Sequence, residues 1–247
     1  MIELSRVSKS YAKSGVKAVN DADVTVKNGE IFGFLGPNGA GKTTTIKLMT
    51  GVLKPDSGTV SIDGIDMAER ALDAKRRFGY VTDNPELFAR LKASEYLNFV
   101  ADVYGVDTAD RRERVERYAS LFEIKDVLNA SIGSYSHGMK QKLLVTASLV
   151  HDPDNWILDE PMVGLDPRSS FNLKELMRER VAAGKTVFFS THVMEVAERL
   201  CDRLSIINKG AILFTGTLAE LKTRGSSDSS LEKLFLELVD DKEEAKA

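Results

Sequence analysis

The first third of the chain alternates short apolar runs with turn residues, the patterning of strands joined by tight connections. Met1–Ser8 and Ala22–Lys27 read as strands, and Asn28–Gly29 is a turn dipeptide. Ile31–Leu35 is apolar without a break, as expected of a strand covered on both faces. Thr59–Ile62 reads as a further strand, closed by the turn residues Asp63–Gly64. From about Lys92 to Val150 the period changes. Glu, Arg, Ala and Leu dominate, and apolar residues fall three and four apart, as in Tyr96, Phe99, Val100 and Val103. That spacing predicts helices. Trp156–Leu158 and Thr186–Phe189 return to strand, with a helix near Ser169–Ala182 between them, and LSIINKGAILF reads as a hairpin about Lys209–Gly210. The helical middle therefore reads as an insertion between two halves of an α/β core. Further on, Arg224–Ser230 is rich in Gly and Ser and reads as a linker. Leu231, Leu234, Phe235 and Leu238 then recur at helical spacing, and Asp240–Ala247 read as a frayed, solvated tail.

Composition narrows the classes of function. A chain of 247 residues suffices for one large domain, or a core with a smaller appended one. Thirty-four basic against 37 acidic residues give a net charge of −3, so no basic excess draws the chain to nucleic acid, and no such partner is expected. The single Cys201 excludes an intramolecular disulfide and a multi-cysteine structural zinc site, and fits a reducing compartment. Three histidines, His137, His151 and His192, are too few for a His-rich metal cluster. No run approaches the ~20 apolar residues that span a bilayer. The opening MIELSRVSKSY has no apolar signal core. A soluble chain is expected, one that needs a separate membrane-embedded partner if it works at a membrane.

The first chemical motif follows the Ile31–Leu35 strand. Gly36, Pro37, Asn38, Gly39, Ala40, Gly41, Lys42 and Thr43 satisfy G-x-x-x-x-G-K-[ST]. The glycines permit backbone angles that turn successive N–H groups toward one anion. A helix beginning near Gly41 adds its positive N-terminal end. Lys42 can reach the β- and γ-phosphates of a nucleotide, and the Thr43 hydroxyl can ligate magnesium. The alternative, a glycine-rich turn with a surface lysine, leaves the flanking strand and the helical TTTIKLMTG unexplained.

A second motif, Trp156–Leu158 followed by Asp159 and Glu160, is a short apolar run ending in two acids. Alone it is compatible with an ordinary strand end. Beside a phosphate loop, an acid at the carboxyl end of a neighbouring strand is where magnesium needs one. Asp159 would hold the ion through a water, and Glu160 could polarise the attacking water as a general base. The other reading of Glu160 is a structural ion pair.

With these residues in place, the chain resembles the nucleotide-binding domain of ABC transporters. Tyr135-Ser-His-Gly-Met-Lys-Gln141 is similar to the ABC signature, the most diagnostic stretch. Tyr11 sits where the family places an aromatic that stacks on adenine, although a packed aromatic is the alternative. Gly164-Leu-Asp166-Pro resembles the D-loop, and Ser190-Thr-His192 the switch histidine. Phe78–Asp83 sits where the family has its Q-loop. The resemblance runs in the right motif order from about residue 2 to residue 222.

The resemblance implies an α/β fold, a P-loop NTPase core with an antiparallel β subdomain and an inserted α-helical subdomain at approximately 84–150. It implies an ATPase domain over 1–222 and a short C-terminal linker and helix over 223–247. ATP and Mg2+ are the implied cofactors. The nucleotide would touch Tyr11, residues 36–43 and Thr44, with Ser136, Gly138 and Asp166 reaching the nucleotide held by an opposing copy. Metal contacts would come from Thr43, Asp159 and Asp83, and catalysis from Lys42, Glu160 and His192. Two such domains, identical or not, would clamp ATP head to tail. Hydrolysis would be passed through Thr82–Leu91 and the helical insertion to a transmembrane permease, placing the chain on the cytoplasmic face of the cell membrane. Export is the favoured direction, by resemblance to members paired with multidrug or polysaccharide exporters. Rival readings are a soluble ABC-type ATPase such as a cluster-assembly partner, a binding-only module and a small-molecule kinase.

Three features depart from the family pattern. Tyr135 and His137 stand where Leu and Gly are usual. Asp83 replaces Gln, which puts the Q-loop's metal contact in doubt. The tail after Gly225 is short. His137 reads either as a signature variant or as an incidental surface residue. Asp166 reads either as a turn former before Pro167 or as an interface residue. His151, in the polar loop HDPDN, is expected to be solvated, as is the charged run Asp107–Arg117.

Overall fold

The computed structural model of the chain describes residues 1–11, 17–84, 88–223 and 230–244. Its frame is a six-stranded sheet. Strand β3 (Ile31–Leu35) lies at the centre, flanked by β8 (Thr186–Thr191) and β9 (Arg203–Asn208), both parallel to it. Beyond β8 come β7 (Asn155–Leu158) and β6 (Phe78–Val81), again parallel, and β10 (Ala211–Gly216) closes the other edge antiparallel to β9. Every residue of β3, β7 and β8 is buried, which is why these segments are apolar through rather than alternating. A four-stranded antiparallel sheet packs alongside, formed by β1 (Ile2–Ser10), β2 (Lys17–Val26), β4 (Ser57–Ile62) and β5 (Ile65–Asp66), in the order β2-β1-β4-β5. Its inward side chains Ile2, Leu4, Val24, Val26 and Ile62 share one core with Phe32, Phe34 and Phe188 of the central sheet.

Helix α1 (Lys42–Met49) follows β3, and the short α2 (Ala71–Lys75) precedes β6. The predicted helical insertion is α3 (Ala93–Val103), α4 (Thr108–Leu121) and α5 (His137–Leu149), all between β6 and β7. Helix α5 serves two cores. Leu143 and Ala147 pack with Leu97 and Ile132 of the insertion, while Leu144, Val145 and Leu149 pack with Trp156 and Leu158 of the sheet. Helices α6 (Pro167–Ala182), α7 (Met194–Leu200), α8 (Leu218–Lys222) and α9 (Leu231–Glu244) complete the chain. The charged run on α4 is a solvated face as expected, with Arg114 and Asp110 paired one turn apart.

The helix expected from Tyr96, Phe99, Val100 and Val103 is α3; its buried residues are Ala93, Leu97 and Ala101, Tyr96 and Val100 are partly buried beside them, and Phe99 and Val103 are exposed. One expectation is corrected: α9 continues through Asp240 to Glu244, so the frayed tail does not begin at Asp240. Burial of Leu231 and Leu234 against Leu35, Leu204 and Phe214 anchors this helix, with Phe235 and Leu238 partly buried beside them. Of the expected linker, residues 224–229 lie outside the described residues. Among the described residues, no helix is long and apolar enough to cross a membrane.

Candidate active site

The phosphate loop leaves the end of β3 and is shaped by its neighbours. A Cβ on Gly36 would lie 2.4 Å from the Ile207 carbonyl oxygen, and one on Gly41, at φ +112°, 2.3 Å from that of Ala18. Side chains are therefore barred where the loop crosses β9 and β2. Gly39, also at positive φ, would meet nothing within 4 Å and faces open space. The Ala40 N–H donates to the Pro37 carbonyl, tightening the turn, and α1 starts at Lys42 with Gly41 as its cap. Asn38 and Gly39 are exposed at the rim. The loop thus offers an open cradle at a helix N-terminus, the arrangement suited to a phosphate group.

Lys42 is buried inside this cradle. Its Nζ donates to the Gly36 carbonyl at 2.8 Å and the Pro37 carbonyl at 3.3 Å, and lies 3.2 Å from Glu160 Oε1. The same Glu160 oxygen accepts from His192 Nδ1 at 3.0 Å. Because a carboxylate only accepts, the His192 proton facing it is on Nδ1. Glu160 itself has a left-handed backbone, φ +47°. The three residues expected to act in catalysis come from the start of α1 (Lys42) and from just past the ends of β7 (Glu160) and β8 (His192), and meet at one carboxylate oxygen.

Asp159 is fully buried at the end of β7. Its Oδ1 accepts from the Ser190 hydroxyl at 2.6 Å, and that hydroxyl oxygen in turn accepts the Glu160 N–H at 3.0 Å. Burial pushes the Asp159 carboxyl above its ordinary range, against the Ser190 and Thr43 hydroxyls, which favour the ionised form. Asp159 Oδ2 is buried with no hydrogen-bond partner. A buried orphan carboxylate oxygen next to the Thr43 hydroxyl has the hard oxygen chemistry that Mg2+ takes. Asp83 is exposed, accepts from the Thr82 hydroxyl at 3.2 Å, and adds to the upward push on Asp159. Among the described residues, no group of three or more His, Cys, Asp or Glu side chains is gathered to hold a metal ion. Such an ion would complete its shell with water and phosphate oxygens.

Tyr11 is 45% exposed, and its hydroxyl lies 3.3 Å from Thr44 Oγ1 at the start of α1. The structure thus sets the aromatic beside the phosphate loop.

The signature residues lie on α5. Ser136 caps this helix, accepting the Met139 N–H at 3.3 Å. Tyr135 is buried among Leu97, Ile132 and Leu143, and its hydroxyl donates to the Val127 carbonyl at 2.7 Å. Its departure from Leu is thus accommodated as core packing. A Cβ on Gly138 would lie 2.5 Å from the Gly164 carbonyl oxygen, and one on Gly164 2.5 Å from the His137 ring. His137 is therefore packed over the D-loop. Asp166 caps α6 through the Ser169 N–H at 2.8 Å and pairs with Lys142 at 2.7 Å. Lys142, then Ser169, hold its carboxyl far below the usual carboxylate range. Its turn-forming role is visible within the chain. Among the described residues, no hydrogen bond or ion pair joins Ser136 or Gly138 to residues 36–44.

His151 corrects a sequence reading. It is not solvated: its ring stacks on Tyr104 with centroids 3.7 Å apart, and Nε2 donates to the Phe78 carbonyl at 3.1 Å. Burial drives its pKa down to about 4. It lines a cavity of about 330 Å³ between the sheet and the helical insertion, together with Tyr80, Tyr96, Val100 and Leu144. Ser190 and Lys142 were also not singled out as site residues. Ser190 is the next to last residue of β8, and His192 follows just past the strand's end. For Lys142 the sequence carries no signal.

Comparison with known proteins agrees with this geometry. A protein-family model described as ABC transporter matches residues 19–163. The chain is 35% identical over 224 residues to the ABC transporter ATP-binding protein NatA of Bacillus subtilis (strain 168), covering 90% of this chain and 91% of that protein. It is 39% identical to the Nod factor export ATP-binding protein I of Burkholderia orbicola (strain AU 1054), covering 87% and 70%. Among solved structures, one titled as the ATP binding subunit of an ABC transporter superposes with a TM-score of 0.92 at 33% identity, covering 97% of this chain and 99% of that one.

Proposed function

Since the chain belongs to the ABC transporter family and is an ATP-binding, ATP-hydrolysing subunit of that class, we propose that it drives export through a separate membrane permease. The observation that carries this reading is the convergence of Lys42, Glu160 and His192 at the mouth of the phosphate loop. The export direction is supported by the name of the Nod factor relative.

In this reading the unengaged N–H groups of the loop, among them those of Gly39, Gly41, Lys42 and Thr43, and the Lys42 ammonium bind the triphosphate, and the Tyr11 ring lies against the base. Thr43 and Asp159 hold Mg2+, with Asp83 near enough to bias its water shell. When bound, the ion neutralises charge on the phosphate oxygens. Glu160 orients and deprotonates the attacking water, and His192 holds the Glu160 carboxylate in line and reads the γ-phosphate.

Ser136 and Gly138 form an anion-ready helix end that, among the described residues, makes no hydrogen bond or ion pair to the chain's own loop. They serve a second nucleotide-binding domain, identical or homologous, whose ATP they would cover. Asp166 lies at the same interface. The groove lined by Tyr80, Tyr96, Val100 and His151, with Phe88 and Phe99 exposed, supports docking of the permease's cytoplasmic segment. The chain then sits at the cytoplasmic face of the membrane, with residues 1–222 as the ATPase domain and approximately 84–150 as its helical subdomain.

Co-purification with a membrane protein, followed by identification of that protein, tests the coupling. ATP turnover should rise when that permease is reconstituted and its cargo added. Turnover indifferent to every membrane protein recovered with it would favour a soluble ATPase.

A further inference from the structure

We infer that Ser190 is a positioning residue of the hydrolytic site, setting both the metal-facing oxygen of Asp159 and the backbone of Glu160. The inference rests on the ATP-hydrolysing reading of this site and deepens it.

Ser190 is fully buried, next to last in β8. Parallel pairing of β7 with β8 brings Leu158 opposite Phe189, so the residues that follow each, Asp159 and Ser190, adjoin across the strands. One hydroxyl then does two things. Its proton goes to Asp159 Oδ1 at 2.6 Å, and its lone pair receives the Glu160 N–H at 3.0 Å. The first bond fixes the rotation of the Asp159 carboxylate. Of its two oxygens, Oδ1 is engaged by Ser190 and Oδ2 has no hydrogen-bond partner, leaving it as the one available to an ion. The second bond satisfies a backbone donor in a left-handed conformation that a non-glycine residue adopts only when held there.

Two residues further on, His192 grips the same Glu160 by its carboxylate. The end of β8 thus holds the general base at both its backbone and its side chain. Without the Ser190 hydroxyl, Asp159 can present either oxygen, and the half-buried Glu160 N–H loses its hydrogen-bond partner. Ser190 touches no reacting atom; it acts through Asp159 and Glu160.

The test uses the full chain with Ser190→Ala and the nearly isosteric Ser190→Cys, whose thiol is a weak donor. A fluorescent ATP analogue is titrated in EDTA and in Mg2+, turnover is measured, and thermal unfolding reports on folding. Affinity in EDTA should stay within about twofold of wild type, because the phosphate loop is untouched. The gain in affinity on adding Mg2+ should shrink several-fold, and kcat should fall on the order of 10–100-fold in both variants, with KM little changed. A space-filling role would leave Ser190→Cys at wild-type kcat and Mg2+ response. That result, or full activity in Ser190→Ala, overturns the inference. Wild-type turnover, measured alongside, tests the hydrolytic reading separately from the variant-to-wild-type ratio.

Discussion

Lys42 and Glu160 hold each other at the mouth of the phosphate loop, with Nζ 3.2 Å from Oε1. The lysine's remaining donors go to the Gly36 and Pro37 carbonyls, so all three of its protons are engaged within the chain. In the proposed mechanism a γ-phosphate in the cradle would compete with Glu160 for Lys42, and the same exchange would free the carboxylate to meet a water.

Replacing Glu160 by Gln should therefore have two effects. ATP affinity should rise several-fold, since an amide competes less well than a carboxylate for Lys42. Turnover should fall by about 10²–10⁴, the usual scale for losing a general base. ATP should then hold the protein as a dimer, seen by size-exclusion chromatography with light scattering. Wild-type turnover in this variant would sink the assignment of Glu160.

The glycines of the loop should not respond alike to alanine. Gly41→Ala meets the Ala18 carbonyl oxygen at 2.3 Å in addition to its positive φ, and should destabilise the fold by more than about 2 kcal/mol while abolishing nucleotide binding. Gly39→Ala has free space and only the left-handed penalty, about 1 kcal/mol. Denaturant melts of the two variants, with nucleotide titrations, check the contrast.

Histidine 151 should make stability depend on pH. Its pKa is about 4 in the folded chain, against 6.5 when exposed. The unfolded chain binds a proton there as pH falls through 6.5, and the folded chain does not until near 4. Stability should thus be lost on acidification across this window, by about 1–2 kcal/mol between pH 7 and 5. In His151→Phe, which keeps a ring against Tyr104, that share of the loss should disappear. Urea melts at the two pH values measure it.

Lysine 142 is expected to act through Asp166. Lys142→Ala leaves the α6 cap without its cation, and Lys142→Arg keeps the charge. The first should lower stability by up to about 1 kcal/mol, as for a pair with one exposed partner, and the second should restore most of it. Thermal melts at low and high salt should show the difference shrinking as salt rises.

What the sequence determined by itself was local. The strand Ile31–Leu35 and the loop 36–43 are contiguous, and their chemistry follows from glycine backbone freedom, one lysine and one hydroxyl in a row. That a helical stretch lies between strands was likewise readable, because burial on both faces and burial on one face leave different periods. Tertiary structure decided what depends on two segments meeting. Ser190 reaches Asp159 across 31 positions because β7 and β8 lie side by side in register, and His151 reaches Phe78 across 73 because β6 runs under the end of α5. No local pattern encodes either contact. A serine in a strand and a histidine in a polar loop have the same neighbours in sequence whether they are buried partners or solvated surface, and only the packing of parallel strands assigns them.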